Sequence, residues 1–148
     1  MHVKDIMSST VRSVQATDSI AKAAQSMADN DVGFLPVLKD RKIVGVVTDR
    51  DIAVRGVGAG ISAVEPVELI MTKNARTCSQ DCDVEDALHI MASERVRRLP
   101  VCDGNDDLIG VVALADAAER NIEKGEVAET LKEICEPSQI HNQSREFA

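Results

Sequence analysis

Residues 32–37 read VGFLPV, and the related run VRRLPV follows at residues 96–101. The displacement between the two Leu-Pro-Val blocks is 64 positions. The same displacement relates VKDIM at residues 3–7 to VELIM at residues 67–71. Two blocks with one shared displacement indicate an internal duplication that covers most of the chain.

Beyond the Leu-Pro-Val blocks the two halves stay related, with a displacement of 65 positions. The triplet GVV at residues 45–47 returns at residues 110–112, and Asp51 returns as Asp116. One residue has therefore been inserted in the loop at residues 103–106. An insertion at that point is typical of a hairpin tip.

Each half predicts the order strand, helix, strand, strand, helix. The helices are indicated by apolar residues at positions i, i+3, i+4 and i+7: Ile20, Ala23, Ala24 and Met27 in the first half, and Val84, Ala87, Leu88 and Met91 in the second. Thr17 and Asp81 are the predicted N-caps. Short β-branched runs predict hairpins from residues 34–38 with 42–47, and from residues 99–102 with 108–112.

The order and spacing of these motifs, met twice, resemble the CBS domain, here as a tandem pair of the stand-alone two-repeat bacterial type. The resemblance implies an α/β (α+β) fold in which two β-α-β-β-α repeats pack about a pseudo-twofold axis into one compact module. We divide the chain into repeat 1 (1–56), a glycine-rich linker (57–66), repeat 2 (67–120), a C-terminal helix (121–137) and a polar tail (138–148).

Composition limits the function. The 148 residues suffice for one compact domain, and because a repeat of about 60 residues is marginal alone, we expect the two to share a core. The net charge of −8 and the presence of only two aromatic residues argue against nucleic acid and anionic membranes as partners. Without a signal-like or membrane-spanning apolar stretch, the sequence predicts a cytoplasmic protein.

The turn after the first GVV triplet carries Thr48, Arg50 and Asp51. In CBS domains the matching hydroxyl and carboxylate contact an adenosine nucleotide, with the carboxylate accepting hydrogen bonds from the ribose diol. The resemblance thus implies a ligand site here, and Arg50 adds positive charge near it. A second interpretation stays open, because Thr48 and Asp51 are also spaced as a capping box that stabilises the helix without any ligand.

Repeat 2 departs from this motif. Asp116 keeps the carboxylate, but Ala113 replaces the threonine and no arginine follows it. We therefore expect the second pocket to be weaker or empty. Arg97 and Arg98 precede the second Leu-Pro, at a position where the family often carries residues that reach phosphates, and arginine binds phosphate bidentately. We expect them to complement Thr48 and Asp51 in a single good site, against the alternative of two solvated surface arginines.

Other chemistry is not indicated. The cysteines at positions 78, 82, 102 and 135 form no Cys-x-x-Cys pair, so we predict no metal site. Redox sensing by the first three would need an exposed thiol of low pKa. The three histidines have no partner at a catalytic spacing, and no nucleophile elbow or phosphate loop is present, so we predict that the protein is not an enzyme.

The resemblance implies a regulatory module that is homodimeric through its helices and requires no cofactor. It would bind an adenine nucleotide in the cleft between its repeats and report the level of that nucleotide to an unknown protein partner. AMP, ADP and ATP fit this expectation, and S-adenosylmethionine is a further adenosyl ligand of the same class. The alternative is a ligand-independent dimeric scaffold with a vestigial cleft.

Overall fold

The computed structural model describes residues 1–120 and 124–136 and has mixed α/β architecture. The seven strands of these residues are β1 (Val14–Gln15), β2 (Phe34–Lys39), β3 (Lys42–Thr48), β4 (Thr72–Lys73), β5 (Cys78–Ser79), β6 (Arg98–Cys102) and β7 (Leu108–Ala113). The helices are α1 (Ile20–Asn30), α2 (Val84–Glu94), α3 (Leu114–Glu119) and α4 (Lys124–Cys135), with a π-helical segment over Asp51–Gly56. The predicted hairpins and helices are confirmed within a residue or two, and the predicted polar tail lies outside the described residues.

The strands form two sheets, with the orders β1-β2-β3-β4 and β5-β6-β7. In each sheet a short first strand pairs in parallel with the next one, which then forms an antiparallel hairpin. Short β-branched runs broken by polar turns produce such hairpins. The duplicated sequence thus builds the same sheet twice.

The two repeats exchange their first segments. Strand β4 belongs to repeat 2 by sequence, yet it pairs antiparallel with β3 of repeat 1, with Thr72 opposite Val46. Reciprocally, Ser8 of repeat 1 pairs with Val111 of repeat 2 through hydrogen bonds of 2.9 and 3.0 Å between their backbone atoms. The exchange runs in both directions, as expected for repeats related by a pseudo-twofold axis.

This exchange also decides how the interior is built. One hydrophobic cluster contains α1, β2 and β3 of repeat 1 together with Val67, Ile70 and Met71 of repeat 2. The other contains α2, β6 and β7 of repeat 2 together with Val3 and Ile6 of repeat 1. The expectation of a single shared core is therefore corrected: the described residues form two clusters, and each takes residues from both repeats.

The helix starts differ from the predicted N-caps. Helix α1 is capped by Ser19, whose Oγ accepts a hydrogen bond of 3.0 Å from the backbone N of Lys22. Asp83 occupies the N-cap position of α2, while the carboxylate of Asp81 pairs with Lys4 at 2.8 Å. The predictions of Thr17 and Asp81 as N-caps were wrong, because the N-cap of each helix lies two residues later, at Ser19 and at Asp83.

Helix α4 lies within the predicted C-terminal helix, of which residues 121–123 and Pro137 are outside the described part. It packs against α2, where the buried Thr130 hydroxyl donates to the carbonyl oxygen of Leu88 at 3.3 Å. Repeat 1 has no described helix in the matching position, so Ala24 on α1 is exposed. No helix among the described residues is long and apolar enough to cross a membrane.

Candidate functional site

The turn after β3 is held by two reciprocal hydrogen bonds. The backbone N of Asp51 donates to Thr48 Oγ1 at 3.1 Å, and the backbone N of Thr48 donates to Asp51 Oδ2 at 3.0 Å. This is the capping box that the spacing of the two residues predicted. The cap exists without a ligand, so it does not by itself indicate binding.

The Asp51 carboxylate is only 8% exposed, and the exchanged segment reaches it. Thr72 Oγ1 lies 3.4 Å from Asp51 Oδ2, and Arg55 Nη1 lies 3.8 Å from Oδ1. The Arg55 guanidinium also donates to the carbonyl oxygen of Met71 at 2.9 Å. Asp51 therefore joins its own helix to the start of repeat 2, because both of its oxygens face groups from these two segments.

The matching turn of repeat 2 is more open. The backbone N of Ala113 donates to Asp116 Oδ2 at 2.7 Å, and Asp116 is half-buried. No described residue donates a hydrogen bond to the other oxygen of Asp116, and Ala113 offers no hydroxyl. Asp116 therefore has one carboxylate oxygen available as an acceptor, whereas the corresponding oxygen of Asp51 faces Thr72 and Arg55.

Arg97 and Arg98 are exposed and lie beside the Asp116 turn. Arg98 is opposite Ala113 in the register of β6 and β7, and the carbonyl oxygen of Arg97 accepts a 2.9 Å hydrogen bond from the backbone N of Leu114. The structure thus brings both arginines to the turn of their own repeat. Arg98 also lines a cavity with Phe34, which is opposite Thr48 in the register of β2 and β3.

A groove of about 350 Å³ begins at these arginines. Its walls are the α3 turn and one face of α4, formed by Arg97, Arg98, Ala113, Leu114, Ala115, Ala118, Val127 and Leu131. Its lining therefore combines two cationic side chains with apolar ones. Such a groove suits a ligand that joins a flat apolar group to an anion.

A smaller cavity of about 180 Å³ lies where the two repeats meet. Arg98 lines it from repeat 2 and Phe34 from repeat 1, and Thr72 and Arg76 line it from the exchanged segment. Sequence reasoning did not single out Thr72. The duplication could have indicated it, because Thr72 matches Ser8 at the displacement of 64 positions. Both residues carry a hydroxyl and directly follow the methionine of the VKDIM or VELIM run.

Arg50 is exposed at the start of the repeat 1 turn. Its backbone N donates to Asp49 Oδ1 at 2.8 Å, while the backbone N of Asp49 donates to the carbonyl oxygen of Gly33 at 3.0 Å. The turn therefore lies against β2 at the position that matches Arg97. Among the predicted site residues, Arg50 is the arginine that lies in the same turn as Thr48 and Asp51.

Cys78, Cys82 and Cys102 have thiols with raised pKa values, whereas a redox sensor needs a low one. Burial raises the pKa of the Cys78 thiol to about 12. Burial is also the largest cause of the raised pKa of Cys82 and of Cys102. Since the thiolate is the reactive form, these three thiols are less reactive at neutral pH than a free cysteine.

The cap predicts a stability effect at Thr48. Thr48→Ala should lower the free energy of unfolding by about 0.5–2 kcal/mol, because the backbone N of Asp51 loses its acceptor. Thr48→Ser keeps that oxygen and should stay near wild type. Urea unfolding of both variants measures the difference, with exposed Thr10→Ala as the control. Equal losses for the Ala and Ser variants would mean that the threonine methyl group, not the hydroxyl, stabilises the turn.

This chain is similar in sequence or structure to three known proteins. The CBS domain-containing protein YhcV of Bacillus subtilis is 35% identical over 132 residues, which span 89% of this chain and 94% of the relative. Hypoxic response protein 1 of Mycobacterium tuberculosis is 32% identical over 139 residues, 90% of this chain and 94% of the relative. The crystal structure of the CBS domain pair of protein MJ0100, in complex with 5′-methylthioadenosine and S-adenosyl-L-methionine, matches with a TM-score of 0.74 at 27% identity, over 82% of this chain and 99% of that one.

The family comparison agrees with the duplication. The profile of the CBS domain matches this sequence twice, over residues 3–57 and 64–122. Both matches contain a Leu-Pro-Val strand, a GVV strand and the turn with its aspartate. The chain is a member of the CBS domain family and carries two CBS repeats.

Proposed function

We propose that this protein is a regulatory module that binds an adenosine-containing ligand, with its principal site at the Asp116 turn of repeat 2. The observation that carries the proposal is that Arg97 and Arg98 line one groove with Ala113, whose backbone N donates a 2.7 Å hydrogen bond to Asp116 Oδ2. A carboxylate with an available oxygen and two guanidinium groups offer the two recognition elements of a nucleotide, one for the ribose and one for the phosphate.

The ribose would bind at Asp116. A vicinal diol presents two O–H donors at a spacing that one carboxylate can accept, and hydrogen bonds to a charged acceptor are stronger than neutral ones. The half-buried position of Asp116 favours this role, because solvent does not fully compete for its oxygens. The adenine ring would then lie along the apolar walls of the groove.

The phosphate would bind at the arginines. Arg97 and Arg98 are exposed, and neither has an ion-pair partner among the described residues. The planar guanidinium binds phosphate oxygens bidentately. The chain has a net charge of −8, so two adjacent arginines at a groove create a local positive potential on an otherwise acidic protein. This potential would attract an anionic ligand.

Thr48, Arg50 and Asp51 would form a second, weaker site in repeat 1. A ligand there would compete with Thr72 and Arg55 for a carboxylate that is only 8% exposed. The sequence analysis expected the repeat 2 pocket to be the weaker one, because Ala113 lacks a hydroxyl. The contacts of Asp51 favour repeat 2 as the stronger site instead. The bound 5′-methylthioadenosine and S-adenosyl-L-methionine of the MJ0100 domain pair support adenosyl compounds as the ligand class.

Calorimetric titration tests the site with AMP, ADP, ATP, S-adenosylmethionine and adenosine. For the compound that binds best, Asp116→Asn should weaken binding by about 1.5–3 kcal/mol, the range for a hydrogen bond to a charged group. Asp51→Asn is the matched comparison in the other repeat and should cost less. Binding that is lost with Asp51→Asn and kept with Asp116→Asn would reverse the assignment of the principal site.

The arginines are tested in the same assay by replacing Arg97 and Arg98 together with Gln. AMP should lose affinity while uncharged adenosine changes little, and 1 M salt should imitate the substitutions because the Debye length falls to about 3 Å. Equal affinities of the double variant and wild type for AMP would remove the phosphate role. No binding by any of the five compounds would favour a scaffold function.

Homodimer formation is the second part of the proposal, and it also supports the scaffold alternative. An apolar groove of about 450 Å³ runs between α1 and the π-helical segment, lined in part by Ala24, Ile52 and Ile61. Val57 at its edge is 74% exposed. A second copy of the chain would cover this face, which corresponds to the face that α4 covers in repeat 2.

Val57→Glu should therefore shift the protein from dimer to monomer in sedimentation velocity, because it would bury an unpaired carboxylate in the interface. Val64→Glu is the control, since Val64 is 79% exposed but does not line the groove. An unchanged sedimentation coefficient for Val57→Glu would exclude this face as the dimer interface.

A further inference from the structure

Three side chains with metal-binding atoms converge where α4 crosses α2. Glu85 and His89 are four residues apart on α2 and therefore share one helix face. Glu126 reaches the same point from the first turn of α4. One ligand atom from each residue lies within 4.8 Å of the other two, and His89 Nε2 is 3.0 Å from Glu126 Oε2.

We propose that Glu85, His89 and Glu126 form a binding site for a first-row transition-metal dication, represented here by Zn²⁺. Imidazole nitrogen and carboxylate oxygen are both zinc ligands, with bonds of about 2.0–2.2 Å. All three side chains are exposed or half-buried, so small rotations can bring their ligand atoms to these distances. Water would complete the coordination. The imidazole disfavours Mg²⁺ and Ca²⁺, which take oxygen ligands.

A plain surface ion pair is the competing explanation for the short distance between His89 and Glu126. Their side chains are 58% and 37% exposed, and a pair this open contributes little to stability. The two explanations differ at Glu85. An ion pair requires only His89 and Glu126, whereas a metal site also requires the carboxylate one helical turn before His89.

The position of the site gives it a structural consequence. Glu126 lies next to Val127 on α4, and Val127 and Leu131 form part of the groove wall opposite Arg97 and Arg98. A metal that joins Glu126 to α2 would hold this end of α4 in place. Sequence spacing alone does not reveal the site, because Glu126 is 37 residues from His89 and lies on another helix.

The experiment titrates Zn²⁺ into the full-length chain carrying Cys82→Ser and Cys135→Ser, which removes the two less buried thiols as competing ligands. We expect one Zn²⁺ per chain, and no comparable binding of Mg²⁺ or Ca²⁺. His89→Asn should weaken Zn²⁺ binding at least about tenfold, since even outer-shell substitutions at metal sites cost about 10–100-fold. Glu85→Gln and Glu126→Gln should each weaken it as well.

His2→Asn is the matched control, because His2 is also an exposed histidine paired with a single carboxylate, Asp83, at 3.3 Å. It should leave Zn²⁺ binding unchanged. Hydrogen exchange gives a second readout, in which Zn²⁺ slows exchange of the α4 amides in the parent and not in His89→Asn.

Three outcomes would overturn the proposal. One is Zn²⁺ affinity that survives His89→Asn or follows His2→Asn or His141→Asn instead. Another is affinity that Glu85→Gln leaves intact, which excludes Glu85 as a ligand and with it the proposed three-residue site. The third is the absence of Zn²⁺ binding at millimolar concentration. Each is independent of whether the groove binds a nucleotide, so the two proposals can fail separately.

Discussion

Ile70→Ala should lower the free energy of unfolding by about 2–5 kcal/mol, the usual cost of truncating a fully buried aliphatic side chain. Ile70 belongs to repeat 2 by sequence, yet its side chain is fully buried in the cluster of repeat 1, beside Leu35 and Met27. The substitution would therefore leave a cavity in the core of the other repeat. Urea unfolding monitored by circular dichroism measures the loss.

The neighbouring residue supplies the control for this prediction. Leu69 is the last residue of the 3₁₀ helix Val67–Leu69, and Ile70 follows it as the C-cap. Because Leu69 is 53% exposed, Leu69→Ala should stay within about 0.5 kcal/mol of wild type. Equal losses for the two variants would contradict the exchanged packing. The matching residue Ile6 is 4% exposed and packs in the cluster of repeat 2. Ile6→Ala should therefore lower the free energy of unfolding by a similar amount.

Gly45→Ala should destabilise the protein by about 1–3 kcal/mol or more, as expected for overpacking. A Cβ at this position would lie 2.5 Å from the carbonyl oxygen of Thr72 and 2.9 Å from Met71 Sδ. The first of these atoms is backbone in a paired strand and cannot move without opening β4 from β3. The glycine of the GVV triplet thus leaves room for the exchanged segment.

Gly110→Ala should cost less than Gly45→Ala, although it disturbs the same contact in repeat 2. Its nearest neighbour would be Met7 Sδ at 2.7 Å, the end of a flexible side chain, with the carbonyl oxygen of Ser8 at 3.0 Å. Gly104→Ala is the control because nothing lies within 4 Å of its added Cβ. The same urea assay ranks the three variants, and a loss for Gly104→Ala as large as for Gly45→Ala would exclude the steric explanation.

The local features of the fold could be predicted because their causes are local. Helical spacing of apolar residues identified α1 and α2, and β-branched runs between polar turns identified the two hairpins. The hydrogen bonds between Thr48 and Asp51 join residues three apart, so the residue types alone indicated the cap. Only the exact helix starts were misplaced, since Thr17 and Ser19 are both acceptable caps by composition.

The sequence indicated the residue types of a candidate site, whereas the contacts between these residues depend on the tertiary structure. Arg97 and Arg98 were expected to complement Thr48 and Asp51, which stays a prediction. The structure places both arginines beside Ala113, and Arg98 also lines the cavity between the repeats. Hairpin register decides this, because β6 places the arginines opposite the end of β7 in the same sheet. A phosphate-binding residue can be recognised from its chemistry, but its neighbours depend on strand pairing.

The sequence by itself determined that the protein is a duplicated α/β chain, which segments become strands or helices, and which side chains are apolar enough to be buried. Only the tertiary structure decided that residues 67–71 pack into repeat 1 and residues 3–7 into repeat 2. The physical reason is that apolar patterning specifies that a side chain leaves water, without specifying against which partner. Two repeats with the same pattern of apolar residues offer similar partners, so chain connectivity and the close approach at Gly45 and Gly110 select between them.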